Sequence, residues 1–169
     1  MHPILMKLAG GDRRSIGLAN EVAEEIAADD ALFAIVVAGM LHDDPVIRMR
    51  AADAVEKASS KRPELLQPHK QKLLDEIAAV KQQEVRWHWS LMLPRLRLNA
   101  TELGHALEIL DDHLQDAGRI VQVNAMQALA ELALQYEGVR PVVIRRLESQ
   151  IETGSPAVAA RGRKLLKAL

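Results

Sequence analysis

Cysteine is absent from the 169-residue chain, and aromatic residues make up only 2% of it. The lack of cysteine excludes disulfide bonds and thiolate zinc sites, and it is typical of a reducing compartment, so we expect a cytoplasmic protein. The scarcity of Phe and Tyr excludes a core built on large rings. Ala, Leu, Val and Ile supply most of the hydrophobic 49% instead, which favours closely packed helices.

Strand patterns and long apolar runs are missing as well. No alternating run of β-branched and polar residues predicts a strand. The longest apolar stretch, residues 31–41, is shorter than the roughly 18 residues of a membrane span, so we expect a buried helix there and no membrane contact. The net charge of −1 creates no overall field that would attract nucleic acid, which is therefore not an expected partner.

What the chain does contain is an internal repeat. The segment at residues 44–55 recurs in weaker form three times, at shifts of 36 to 38 residues. The apolar residues at its core position are Ile47, Val85, Val121 and Val158. A second set with nearly the same spacing is Leu41, Ile77, Leu114 and Ile151. A period of this length with helical spacing inside it predicts stacked helical hairpins.

Capping residues place the hairpins along the chain. Asp44 before Pro45 predicts the start of a second helix, and Ser155 predicts the same in the last repeat. Asn99 with Glu102 predicts a capping box. We therefore expect a single domain over residues 1–169, with an N-terminal cap over 1–29 that includes a lone helix at about 12–28, and repeats at about 30–60, 67–97, 100–136 and 139–169.

The first repeat carries a family resemblance. Its sequence Asp-Pro-x-Ile-Arg-x-x-Ala-Ala-x-Ala-Val at residues 44–55 is similar to the pattern of HEAT repeats, in the armadillo-type superfamily. Weaker copies extend the resemblance over residues 30–169. It implies an all-α fold, an α-α superhelix or solenoid of about four hairpins, which binds partners on its inner surface and implies no chemistry. In this family an arginine such as Arg48 or Arg86 typically pairs with an acidic residue of a neighbouring repeat, and ligand contact is the alternative.

The inner surface of such a superhelix is lined by the second helix of each hairpin. At about 100° per residue, Met49 and Asp53 lie opposite the core position Ile47. The predicted partner-binding groove, taken at equivalent offsets, consists of Met49, Asp53, Trp87, Leu91, Val123, Gln127 and Lys164. An outward apolar stripe would run through Met49, Trp87, Val123 and Ala160. Exposed apolar stripes are typical of binding surfaces, and the alternative is that neighbouring repeats shield this one.

The two tryptophans have different expected roles. Trp89 shares the register of Ala51 and Ala125, so we expect it in the core. Trp87 points about 200° away from Trp89 around the helix and is the expected anchor for a partner, because tryptophan buries a large area at low entropic cost.

Catalytic and metal-binding motifs are not found. The aspartates beside His42 and those beside His113 fall at different phases of the repeat, so we expect no metal and no cofactor. Phosphate-binding loops, Gly-x-Ser-x-Gly turns and His-Glu-x-x-His helices are absent. We therefore expect a non-catalytic protein-interaction scaffold or adaptor that binds a peptide or helix. The alternatives are a HEAT-like nucleic-acid binder or alkylated-base DNA repair enzyme using Trp87 and Asp53, and a regulatory subunit of a larger assembly.

Overall fold

The computed structural model describes every residue, Met1–Leu169, and confirms the all-α prediction, because the chain forms helices, turns and irregular connections and no strand. The α-helices are α1 Pro3–Met6, α2 Ala19–Ala28, α3 Asp30–Gly39, α4 Pro45–Lys61, α5 Lys70–Lys72, α6 Gln83–Met92, α7 Ala100–Leu114, α8 Arg119–Gln135, α9 Arg140–Thr153 and α10 Pro156–Leu166. Three 3₁₀ segments (Pro63–His69, Leu93–Arg95 and Glu137–Val139) and one π-helical turn (Leu73–Ile77) complete the structure.

Local capping fixes where the helices begin. The Asp44 carboxylate accepts a hydrogen bond of 2.8 Å from the backbone N–H of Val46, and Pro45 is the first residue of α4. Asn99 and Glu102 form the predicted capping box of α7. The lone helix predicted at 12–28 is shorter than expected, since α2 begins only at Ala19.

Two compact units, Met1–Arg97 and Leu98–Leu169, make up the chain, and each is described by itself. In the first unit α4 is the central helix, with α2, α3 and α6 packed around it. In the second unit α7 packs on α8, α9 packs on α10, and α10 also packs on α8. A single domain over residues 1–169 stays a prediction.

Close helix packing depends on small residues at one position of the repeat, which we call the contact position. It is occupied by Ala51, Trp89, Ala125 and Gly162. A Cβ atom built on Gly39 of α3 would lie 3.4 Å from the Cβ of Ala51 on α4. A Cβ atom built on Gly162 would lie only 2.6 Å from Cγ1 of Ile151 on α9. Helices α9 and α10 therefore approach as closely as Gly162 allows, and α3 and α4 are in van der Waals contact at Gly39 and Ala51.

Trp89 breaks this rule and changes the second hairpin. Its side chain is buried, as expected, and its indole N–H donates to the carbonyl oxygen of Leu73 at 2.8 Å. The same carbonyl accepts the backbone N–H of Ala78, five residues later, at 3.1 Å. This bonding pattern defines a π turn. The first helix predicted within residues 67–97 is divided into a 3₁₀ segment that contains Pro68, the short α5, and the π turn to which the indole bonds.

The N-terminal segment is held by the buried side chain of Arg50, which is 3% exposed. Its guanidinium group donates to five backbone carbonyls, those of Leu8, Ala9, Gly10, Asp12 and Ser15. Gly17 has a φ of +53° and passes so close that a Cβ atom would lie 2.9 Å from the guanidinium carbon. Because the carbonyls satisfy its donors, Arg50 can stay buried without a carboxylate partner.

We predict that Gly162→Ala lowers the free energy of unfolding by about 1–3 kcal/mol, because the added methyl group overpacks the contact with α9. The matched control is Gly104→Ala on α7, where an added Cβ atom meets nothing within 4 Å. That variant should gain up to about 1 kcal/mol from helix propensity. Urea denaturation of both variants checks the contact position, and equal midpoint shifts in the two would contradict it.

Candidate binding face

Polar contacts join α2 to α4 across one face of the first unit. The ammonium group of Lys57 on α4 donates to Oδ1 of Asn20 on α2 and to Oδ2 of Asp53, both at 2.7 Å. One turn further along, Lys61 of α4 pairs with Glu24 of α2. This face therefore carries a row of polar pairs rather than the apolar stripe that the sequence predicted.

The row continues from α4 to α6 through a histidine. Nε2 of His88 lies 3.7 Å from Oδ1 of Asp53, and the two side chains are only 14% and 8% exposed. The rings of His88 and Trp87 meet edge to face at a centroid distance of 5.8 Å. Trp87 therefore lies at the edge of the polar row, next to the site where α4 and α6 meet.

The second unit repeats this arrangement in the same register. Gln127 of α8 donates to Oε1 of Glu131 at 2.6 Å, and its own Oε1 accepts from the guanidinium group of Arg161 on α10. Gln127 is the repeat equivalent of Asp53, and Arg161 is the equivalent of His88. The same two positions therefore connect successive second helices within each unit.

Two predicted groove residues are not available to a partner. Met49 and Asp53 are each 6% exposed, so the prediction that they face solvent is wrong. The physical reason is the central place of α4, which is covered by α2, α3 and α6. Asp53 is also paired with Lys57, so its carboxylate is satisfied within the chain.

The other predicted groove residues remain at least partly accessible. In the first unit Trp87 and Leu91 are half-buried and lie one turn apart on α6. In the second unit Val123 and Gln127 are half-buried, and Lys164 is exposed. Ala160, in the predicted stripe, is exposed as well. The accessible apolar surface of the first unit's face is thus centred on α6 rather than on α4.

Arg48, the family-type arginine of the first repeat, bonds to backbone carbonyls and an amide rather than to an acidic residue of a neighbouring repeat. Arg48 donates to the carbonyl oxygen of His42 at 2.7 Å, and its Nε donates to Oε1 of Gln82 at 2.8 Å. The equivalent Arg86 donates to the carbonyl oxygen of Val80, and Gln122 donates to that of Asp116. In all three repeats the acceptor lies six residues earlier, so this side chain caps the turn between the paired helices.

Electrostatics at His88 favour the neutral imidazole. Burial lowers the pKa of His88 below its usual value, and the nearby Lys57 acts in the same direction. The carboxylates of Asp53, Glu56 and Glu84 oppose this shift without cancelling it. The contact with Asp53 is therefore a weak polar one near neutral pH, and protonation would convert it to an ion pair.

Lys57, His88 and the buried role of Arg50 were not predicted from the sequence. The available signals were the spacing of Asp53 and Lys57, which are four residues apart on one helix, and the recurrence of polar residues at one repeat position. That position holds Arg50, His88, Asn124 and Arg161. Periodicity finds such a position, but it does not reveal which group each side chain meets.

Comparison with protein-family models, curated proteins and solved structures found no match. Nowhere do three histidine, aspartate or glutamate side chains come close enough to hold a metal ion. No helix combines the length and the apolarity that a membrane span requires. The geometry of the chain itself therefore has to carry any functional assignment.

We predict that His88→Asn, which introduces the residue found at the equivalent position 124, weakens the loss of stability in acid. Because the pKa of His88 is lowered by folding, the unfolded chain binds the proton more readily, and stability falls as the pH drops below about 6.5. The free energy of unfolding should therefore depend less steeply on pH in the variant between about pH 7 and pH 5. His105→Asn, at an exposed site on α7, is the control, and identical slopes in wild type and His88→Asn would contradict the assignment.

Proposed function

We propose that this chain is a non-catalytic protein-interaction scaffold of the HEAT-repeat type, in which the hairpins form an α-solenoid. Its partner is a peptide or helix that lies across the second helices of the hairpins. The family resemblance of residues 44–55 supports the fold assignment, and so does the recurrence of the same polar positions in both units.

The observation that carries the proposal is the face formed by α2, α4 and α6. These helices pack side by side around α4, and their cross-helix pairs hold the face in one geometry. Trp87 and Leu91 supply half-exposed apolar surface at its α6 edge. A rigid polar surface with a partly exposed tryptophan is typical of protein-binding sites, because the aromatic ring anchors and the polar rim orients the partner.

A cavity on the same face could receive a side chain of the partner. It has a volume of about 190 Å³ and lies between α2 and α4. Its lining residues are Asn20, Ala23, Glu24, Lys57, Ala58, Ser60 and Lys61. The alanines form an apolar wall within a charged rim, which suits a small apolar side chain flanked by polar groups.

The charge balance favours protein over nucleic acid as the partner. The first unit carries 14 of the 22 Lys and Arg residues and 14 of the 23 Asp and Glu residues. On the face itself Lys57 and Lys61 are already paired with Asp53 and Glu24. Duplex binding at physiological salt depends on many free cations that contact phosphates.

Site-specific photo-crosslinking in cells of the source organism tests the proposal. With p-benzoylphenylalanine in place of Trp87 we expect crosslinks to a small set of proteins, whereas the same residue in place of Ala38, exposed on α3, should give none of them. Trp87→Ala should lose the partner while losing less stability than the roughly 3–5 kcal/mol typical of a fully buried aromatic residue.

Two results would count against the scaffold. Equal crosslinking at Trp87 and Ala38 would show that the α2–α4–α6 face is not the binding surface. Submicromolar binding of duplex DNA at about 150 mM salt, lost in Trp87→Ala, would favour the alternative of a nucleic-acid binder or base-repair enzyme.

A further inference from the structure

A second cavity in the first unit has a surplus of basic side chains. It has a volume of about 420 Å³ and lies where the N-terminal segment, α4 and the start of α6 meet. Its lining residues are Arg13, Arg48, Lys81, Gln82, Gln83 and Glu84. Three cations therefore line this cavity together with a single carboxylate, although the unit as a whole has as many acidic as basic residues.

Arg48 is held rigidly at the wall of this cavity. Its Nε donates to Oε1 of Gln82 at 2.8 Å, and one terminal nitrogen donates to the carbonyl oxygens of His42 and Asp43 at 2.7 and 3.0 Å. Its other terminal nitrogen makes no hydrogen bond within the chain. Because the guanidinium plane is fixed by three bonds, the free donor points in one direction at little further entropic cost.

Arg13 is positioned by the segment that Arg50 holds. The buried guanidinium of Arg50 bonds the carbonyls of Asp12 and Ser15, on either side of Arg13, at 3.2 and 3.0 Å. Nε of Arg13 lies 3.3 Å from Oε1 of Glu84, and its side chain is 54% exposed. Arg13 can therefore turn from Glu84 toward an incoming anion without movement of the backbone.

The start of α6 adds to the positive potential of the cavity. Gln82 is the N-cap residue of this ten-residue helix, and no side chain caps it. The first N–H groups of a helix carry partial positive charge. This contribution supplements the three cations, which are the main feature of the site.

We propose that this cavity binds a phosphoryl group carried by a protein partner, as on a phosphoserine or phosphothreonine side chain. The inference rests on the proposed function and names the chemistry of the partner. Arginine clusters recognise phosphate through charge-assisted hydrogen bonds. Trp87 lies one helical turn beyond Gln83 on α6, so a peptide with its phosphate in the cavity continues toward the tryptophan.

A single phosphoryl group fits this surface better than a polyanion does. Three cations elsewhere in the first unit are engaged by acids: Lys7 with Glu25, Lys72 with Glu76, and Arg95 with Glu56. A nucleic acid strand would need a long series of cations at phosphate spacing, whereas this cavity brings together only three.

The site is tested first with inorganic phosphate, titrated into the full chain at about pH 8, where the phosphoryl group is mainly a dianion. The ¹⁵N signal of Arg48 Nε and the backbone signals of Gln83 and Glu84 should shift in a saturable way. Arg48→Gln and Lys81→Gln should each weaken binding by roughly tenfold. Arg48→Gln should fold normally, because Gln122 makes the equivalent carbonyl hydrogen bond at 2.8 Å in the third repeat.

Lys164→Gln is the matched control, since it removes the same charge from an exposed residue of the other unit. It should leave phosphate binding unchanged. Equal weakening by Lys164→Gln, or signal shifts without saturation, would overturn the site. The Trp87→Ala variant should still bind inorganic phosphate. Loss of phosphate binding therefore reports on the anion site alone, and loss of the protein partner reports on the Trp87 face.

The source of the phosphoryl group is tested with three probes at physiological salt. A degenerate phosphoserine peptide pool should bind better than its serine counterpart, and Arg48→Gln should abolish the difference. A single-stranded oligonucleotide should bind more weakly than the phosphopeptide pool. Tighter binding of the oligonucleotide, or equal binding of both peptide pools, would overturn the assignment to a phosphorylated protein.

Discussion

The close approach of paired helices is the constraint on which the rest of the structure depends. Ala51 on α4 faces Gly39 of α3, and Gly162 on α10 contacts Ile151 of α9 with no space for another methyl group. When first and second helices pack this closely, the second helices of neighbouring hairpins are also brought side by side. Repeat positions then coincide in space, which places Asp53 beside His88 and Gln127 beside Arg161.

This geometry explains why the binding face is polar rather than apolar. A helix surrounded on three sides, as α4 is, buries even the residues opposite its main core contact. Met49 therefore joins the core, and Asp53 can be buried only because Lys57 satisfies it. The apolar surface left for a partner moves to α6, where Trp87 and Leu91 are half-buried. The proposed partner-binding surface is thus a consequence of helix packing and not of composition alone.

Sequence reasoning predicted the parts of the fold that are determined locally. The starts of α4 and α7 follow from Asp44 and from the capping box of Asn99, which need only neighbouring residues. The π turn of the second hairpin could not be predicted, because the indole of Trp89 that bonds to it lies more than ten residues away in the sequence.

The candidate site was less predictable than the fold for a similar reason. A helical wheel gives the direction of a side chain relative to the core, but it does not give the number of neighbouring helices. Met49 is buried because several helices pack around α4. The partners of Arg48 and Arg50 are mainly backbone carbonyls. Carbonyl groups are present at every residue and leave no mark in the sequence, so an arginine that binds them cannot be told from one that pairs with an acid.

The claim that one repeat position sets the geometry of each hairpin is tested most directly at Trp89. In wild type the backbone N–H of Ala78 bonds to the carbonyl of Leu73, which NMR detects as a scalar coupling across the hydrogen bond. In Trp89→Leu, without the indole donor, the account predicts that this coupling moves to the carbonyl of Leu74, four residues before Ala78, as in a regular α-helix. Persistence of the Leu73 coupling in the variant would show that the π turn has another cause, and it would contradict the account.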